Sequence, residues 1–253
     1  MCEKTVPKTV LITGSSRGIG KAIAILFAQA DYHVWINCKN SAKELQATAQ
    51  EIQALSTVSG KPCCCTMILG DVGNETDVTR IFQRIADSGT GVDILINNAG
   101  ISSIGLFTDM TGEGWNQMLQ TNLSSVFYCS KAALPYMLSK KMGKIITISS
   151  MWGTVGASCE VAYSAAKSGV HGLTRALAKE LAPSNIQVNA IACGAIDTAM
   201  NSHLSPAERT ALEEEIPMGR YGTPKEVAEL VLQVAQSPAY MTGQIIGIDG
   251  GFI

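Results

Sequence analysis

The chain has 253 residues, 46% hydrophobic and 16% charged, which is too apolar for a disordered protein. Its 24 Gly and 8 Pro follow no triplet period, so a collagen-like or low-complexity chain is excluded. Lys plus Arg of 19 against Asp plus Glu of 21 gives a net charge of −2, leaving no basic surface to neutralise a run of phosphates; a nucleic-acid partner is not expected.

At this length folding buries roughly 72% of the extended chain's surface, enough for one substantial core, and no linker or repeat divides the chain. A single domain over residues 1–253 is expected. No stretch supplies the roughly 20 apolar residues of a membrane span, and too few apolar residues follow Lys8 for the apolar region of a secretory leader; a cytosolic address with no membrane partner is expected. Eight cysteines in so large a core-forming chain read as free thiols. Cys63, Cys64 and Cys65 would alternate faces on a strand, and with only His33, His171 and His203 and no C-x-x-C pair, no metal site is expected.

Short apolar runs alternate with longer amphipathic ones. The first strand, at 9–13, leads through Thr13-Gly14-Ser15-Ser16-Arg17-Gly18-Ile19-Gly20 into a helix near 18–30. Glycines let a backbone turn sharply and approach a pyrophosphate, and the helix start offers unpaired N–H groups and the positive end of its dipole. The spacing is G-x-x-x-G-x-G rather than G-x-G-x-x-G, and a tight strand-to-helix turn can need glycine for geometry alone, so the turn leaves both readings open.

A second strand at 33–37 precedes a helix at 41–56. It ends Ile36-Asn37-Cys38-Lys39-Asn40 with no carboxylate to bind a ribose 2′-hydroxyl, while Arg17 and Lys39 are cations able to converge on a 2′-phosphate; NADPH is therefore the expected cofactor. Further strands are expected at 63–69, 93–97, 144–149, 186–192 and 244–249, with helices near 74–87, 113–141, 160–182 and 224–236. Ile94-Leu95-Ile96 and Ile145-Ile146-Thr147-Ile148 are apolar on consecutive positions, as in a parallel sheet covered by helices on both faces. The stretch 196–220 breaks the rhythm. Ser205-Pro206 starts a helix, Glu213-Glu214-Glu215 and Pro217 follow, and the insertion is long enough to cover a site.

Tyr163 and Lys167 stand at i and i+4 near the start of the helix at 160–182, so they share a face. A neighbouring ammonium favours the phenolate and is expected to lower the phenol's pKa. Ser149 and Ser150 close the strand at 144–149, which puts a hydroxyl at the C-terminal edge of the sheet, where open α/β folds bind ligands.

Thr13 to Gly20, Asn97-Asn98-Ala99-Gly100, Asn122, Ser150, Tyr163 and Lys167, in this order and spacing, resemble the short-chain dehydrogenase/reductase family from about Thr9 to Gly251. The resemblance implies a Rossmann α/β fold, a doubly wound, seven-stranded, mainly parallel sheet with helices on both faces. It implies a catalytic tetrad of Asn122, Ser150, Tyr163 and Lys167, with Asn122 holding a water that relays protons. Cofactor contacts implied by the same match are Gly14, Ser16, Arg17, Gly18, Ile19, Gly20 and Lys39, Asp71 and Val72 beside the adenine, Asn98, Ala99 and Gly100 along the ribose, and Ile196 and Thr198 at the nicotinamide carboxamide. Where the family commonly has Pro-Gly after strand six, this chain has Cys193-Gly194, which frees the φ of that turn and puts a thiol near the site.

The closing stretch, Tyr240-Met241-Thr242-Gly243-Gln244 to Asp249-Gly250-Gly251, is similar to bacterial 3-oxoacyl-[acyl-carrier-protein] reductases, implying fatty acid synthesis, an acyl carrier protein partner and a homotetramer. Lys140, Lys141 and Lys144 are the candidate carrier dock, while Ser184 stands where that family has a second basic dock. Ser149-Ser150-Met151-Trp152-Gly153 to Ala157-Ser158-Cys159-Glu160 also resembles a Gram-positive branch linked to reducing a ketone-bearing modification on translation elongation factor P; Trp152 and Glu160 would then shape a pocket for an amino-ketone. A third possibility, a regulatory protein that senses NADPH without turnover, fits poorly with an intact tetrad.

Overall fold

The computed structural model describes residues 7–59, 64–202 and 204–253. In chain order it runs β1 (Thr9–Ile12), α1 (Gly18–Gln29), β2 (His33–Cys38), α2 (Ala42–Ser59), β3 (Cys65–Leu69), α3 (Glu75–Asp87), β4 (Ile94–Asn97), α4 (Gly112–Leu119), α5 (Ser125–Lys140), β5 (Gly143–Ser150), α6 (Trp152–Val155), α7 (Val161–Leu181), β6 (Ile186–Cys193), α8 (Pro206–Glu215), α9 (Pro224–Gln236) and β7 (Ile245–Ile248). The seven strands lie in the order β3-β2-β1-β4-β5-β6-β7, every neighbouring pair parallel, so the sheet is wholly rather than mainly parallel. Cys63 and His203 lie outside the described residues.

Alternate residues of each strand feed two cores. Val10, Ile12, Val34, Ile36, Ile94 and Ile96 pack on one face with Ile23 and Phe27 of α1, Leu45 and Ile52 of α2, and Val227 and Val231 of α9. Leu11, Trp35, Leu95, Ile145 and Val188 point the other way, onto Val78, Ile81 and Ile85 of α3, Cys129 and Met137 of α5, and Leu181 of α7. Each fully buried Ile, Leu or Phe adds about 1.5–3 kcal/mol of hydrophobic stabilisation, and burial on both faces is why these strands are apolar at every position. The chain crosses over between β1 and β4, so a crevice opens at the C-terminal ends of these strands, where parallel sheets bind ligands.

Two departures from the expected elements position the site. The helix expected over 113–141 is divided into α4 and α5 by a π-helical turn, Gln120–Ser124, which carries Asn122. The interval 196–220 folds into a 3₁₀ turn at Ala199–Asn201 and then α8, whose first turn is closed by a capping box between Ser205 and Glu208. Among the described residues no helix is long and apolar enough to cross a membrane, and no group of His, Cys, Asp and Glu could hold a metal.

Candidate active site

The glycine turn is stitched to the end of β4. The Thr13 hydroxyl accepts from the backbone N–H groups of Asn98 and Ala99 at 3.0 Å each, while Asn98 Nδ2 donates to the carbonyls of Thr13 and Gly14 at 2.9 Å each. A Cβ on Gly14 would lie 2.7 Å from Ala99 Cα, so that position requires glycine, and the φ of +63° at Gly14 and +56° at Gly18 is one that glycine adopts without strain. Gly20 packs against Gly14 O and Asn98 Nδ2 with no room for a Cβ. Arg17, exposed, is the N-cap of α1 and makes no side-chain cap bond, so the first-turn N–H groups of this 12-residue helix face the crevice without a capping oxygen from Arg17. Ser16 is buried and its carbonyl accepts from the Thr48 hydroxyl at 3.1 Å; Ile19 packs partly buried against the first core.

Ser150 ends β5, and Tyr163 and Lys167 sit on the first two turns of α7. The Ser150 hydroxyl is hydrogen-bonded to the Tyr163 phenol and accepts from Trp152 N–H at 3.2 Å. Lys167 is buried, its ammonium donating to Ile148 O at 2.9 Å and lying 5.5 Å from the Tyr163 ring centroid. Across the crevice, a Cβ on Gly100 would sit 2.8 Å from Asn122 Oδ1, too close to fit, and 3.8 Å from Lys167 Nζ, so only glycine lets the backbone pack this closely against both groups.

The electrostatics correct one expectation. Burial pushes the Tyr163 phenol well above its ordinary value, nearby Cys193 and Glu160 push it further, and the Ser150 bond pulls it down, so the net shift is upward where a lowering was expected. The physical reason is that burial of the phenol dominates, while the ammonium donates to Ile148 O and lies 5.5 Å from the ring centroid. Burial in turn pulls Lys167 down to about 8. Cys193 also differs from expectation: it is the last residue of β6, paired with Ser150 and Ile248, not part of a turn, and burial raises its thiol to about 12, which makes it an unreactive packing group.

Asn122 is buried, and its side chain is already occupied. Nδ2 donates to Ile101 O at 3.0 Å and Met118 O at 3.1 Å and touches Met118 Sδ, and Oδ1 accepts from Ile101 N–H at 3.1 Å. The side chain therefore pins the loop after Gly100 to α4.

Lys39 is paired with Asp71 at 2.7 Å, joining the residue expected at the 2′-phosphate to the one expected at the adenine. Asp71 Oδ1 also accepts from Gly73 N–H at 2.9 Å, and Val72 beneath it is buried. Ile196 is buried and bridges Gly222, and Thr198 caps the 3₁₀ turn with its methyl 3.6 Å from where a Gly18 Cβ would be. Asp197, between them, is held by Arg209 of α8 at 3.0 Å, and the same guanidinium stacks 4.4 Å over Tyr221. Trp152 packs edge-on against Phe252 at 5.7 Å. The expected basic dock is largely consumed: Lys140 pairs with Asp93 at 3.1 Å, and Lys144 donates to Ser237 O at 2.6 Å.

Sequence reasoning missed Thr13 as the joint between β1 and β4, and missed the pair Ser149 and His171, whose Oγ and Nε2 are 2.9 Å apart. A hydroxyl ending an apolar strand was the available signal for both.

Residues 8–209 match the short chain dehydrogenase family. The chain is 35% identical over 246 residues to the uncharacterized oxidoreductase YmfI of Bacillus subtilis, covering 97% of this chain and 98% of that one. It is 37% identical over 247 residues to the 3-oxoacyl-[acyl-carrier-protein] reductase FabG of Thermotoga maritima, again covering 97% and 98%. With the FabG of Aquifex aeolicus the identity is 39% over 245 residues, 96% of each chain. A crystal structure from Agrobacterium tumefaciens, described as a candidate gluconate dehydrogenase, superposes with a TM-score of 0.89 at 33% identity, covering 97% of this chain and 95% of that one. The parallel sheet, the glycine turn and these matches agree: the chain belongs to the short-chain dehydrogenase/reductase family and is an oxidoreductase acting on CH–OH groups.

Proposed function

We propose that the chain is an NADPH-dependent ketone reductase working in the cytoplasm as one domain, 1–253, and that its substrate is a 3-oxoacyl group on acyl carrier protein. The observation that carries the reduction is the gathering of Ser150, Tyr163 and Lys167 at the end of β5, opposite the missing Cβ of Gly100. The residues present fit a dinucleotide. The first-turn N–H groups of α1 take no side-chain cap from Arg17, which suits a pyrophosphate, and the close packing at Gly100 brings the end of β4 beside Lys167, whose ammonium would meet the ribose. Gly14, Ser16, Arg17, Gly18, Ile19 and Gly20 would hold the pyrophosphate side, Arg17 and Lys39 the 2′-phosphate, Asp71 and Val72 the adenine, Asn98, Ala99 and Gly100 the ribose, and Ile196 and Thr198 the carboxamide. When bound, the cofactor supplies a hydride to the carbonyl carbon.

Tyr163 gives its proton to the carbonyl oxygen as negative charge develops there. A phenol held above its ordinary pKa keeps that proton at pH 7, which suits the reducing direction. Ser150 donates to the same oxygen and fixes its place against Tyr163. Lys167 keeps one N–H on Ile148 O and has two more for ribose hydroxyls. Asn122 acts through the loop it pins, which sets Gly100 against Lys167.

The carrier-bound substrate rests on the names of the relatives at 37% and 39% identity. A second reading, reduction of an amino-ketone on translation elongation factor P, is favoured by two observations: Lys140 and Lys144 are engaged inside the molecule, and the Glu160 carboxylate acts on Tyr163, where it would attract an amine. A homotetramer is the proposed assembly, supported by exposed Phe127 and Leu138 on α5. Following NADPH absorbance with carrier-bound, coenzyme A-bound and free ketones tests the reading: fastest turnover with the carrier-bound 3-oxoacyl group supports it, preference for an amino-ketone selects the second reading, and cofactor binding without oxidation by any ketone overturns both.

A further inference from the structure

His171 and Ser149 form a buried pair that the reduction as described does not use. Ser149 Oγ lies 2.9 Å from His171 Nε2, with 2% and 4% of the two residues exposed. Both flank the reacting groups. Ser149 stands between Ile148, whose carbonyl holds Lys167, and Ser150, while His171 follows Lys167 by one turn of α7. Gly153 of α6 closes the third side: a Cβ there would lie 2.9 Å from His171 Cε1 and 2.8 Å from the Lys167 carbonyl carbon, so α6 rests directly on these two residues. The charged groups acting on the imidazole are Arg175 and Lys167, both on α7; with burial they hold it below its ordinary pKa, and it is neutral at pH 7.

We infer that His171 is a positioning residue for the reaction: its bond to Ser149 fixes the end of β5, and with it the Ser150 hydroxyl, against the face of α7 that carries Tyr163 and Lys167. Among the described residues three side-chain bonds tie these elements at this point, Lys167 to Ile148 O, Tyr163 to Ser150 and His171 to Ser149. Only the last lies outside the groups proposed to contact ligand. It keeps the distance between Ser150 and Tyr163 constant while the two remaining Lys167 N–H groups engage a bound ribose, and small misplacement of reacting groups is costly in rate. The inference rests on the ketone-reductase reading above.

The test uses the full-length protein with His171→Ala, Ser149→Ala and His171→Gln, the last keeping a hydrogen-bonding group at the reach of Nε2. His171→Ala and Ser149→Ala should each lower kcat about tenfold or more, with KM for NADPH and NADPH binding by fluorescence unchanged. His171→Gln should recover most of the rate, and the double alanine variant should be no slower than the slower single, as expected for two ends of one bond. Full kcat in folded Ser149→Ala, which removes a single oxygen, overturns the inference even if His171→Ala fails to fold. So does a kcat loss in His171→Ala that His171→Gln does not restore. Wild-type protein that binds NADPH but reduces none of the ketones refutes the function reading and this inference together, whereas an active wild type with fully active Ser149→Ala refutes the inference alone.

Discussion

Replacing Lys167 by Met should make the protein more stable and inactive at once. The lysine is 5% exposed and burial lowers its pKa from 10.5 to about 8, so at pH 7 the fold carries a charge it would rather lose. That difference corresponds to about 3 kcal/mol of destabilisation. Methionine fills a similar volume without the charge, at the loss of the bond to Ile148 O, worth about 1 kcal/mol. The net gain is about 2 kcal/mol, which raises the melting temperature by roughly 4–8 °C in a chain of this size. The pH dependence gives an independent check. Between about pH 8 and 10.5 the unfolded chain holds this proton and the folded one has released it, so the group makes the wild type more stable as pH rises through that window. The Met variant lacks this contribution, and its advantage should shrink from pH 8 to pH 10. Thermal unfolding of both proteins across that range measures it. A Met variant that melts at or below the wild-type temperature at pH 7, or an advantage independent of pH, would refute the reasoning.

Other perturbations separate the roles assigned to neighbouring residues. Asn122→Ala removes the bonds to Ile101 N–H, Ile101 O and Met118 O and should cost about 2–4 kcal/mol; an unchanged urea midpoint would contradict the pinning role. Lys39→Ala should raise KM for NADPH about tenfold, the worth of one charge-assisted hydrogen bond, and leave NADH kinetics unaltered; equal effects on both would remove the 2′-phosphate assignment.

The alternation of strands and helices was legible because burial on both sheet faces leaves nearly every strand residue apolar, as in Ile94–Asn97 and its neighbours. The Tyr163 and Lys167 adjacency was legible for a similar reason, since helical period alone puts them on one face. What that spacing could not convey was where the ammonium points: the Ile148 carbonyl that holds it belongs to another element, and burial outweighs the neighbouring charge at the phenol. The same limit hid the Lys39 pairing with Asp71, which forms because β2 and β3 are neighbours in the sheet, and the engagement of Lys140 by Asp93 and of Lys144 by Ser237. The π turn at Gln120–Ser124 has no residue signature of its own, so residues 113–141 read as one helix, yet it divides α4 from α5 at Asn122. Cys193 was read as a turn residue from its place in a motif; the ladder from Ser150 to Cys193 to Ile248 instead carries β6 through it.

Tyr163 is the group proposed to deliver the proton. Pre-steady-state mixing of Tyr163→Phe with NADPH and a ketone that the wild type reduces measures this directly: cofactor binding should persist while NADPH oxidation falls by roughly 10²–10⁴-fold. Oxidation of NADPH by the Phe variant at the wild-type rate would contradict it.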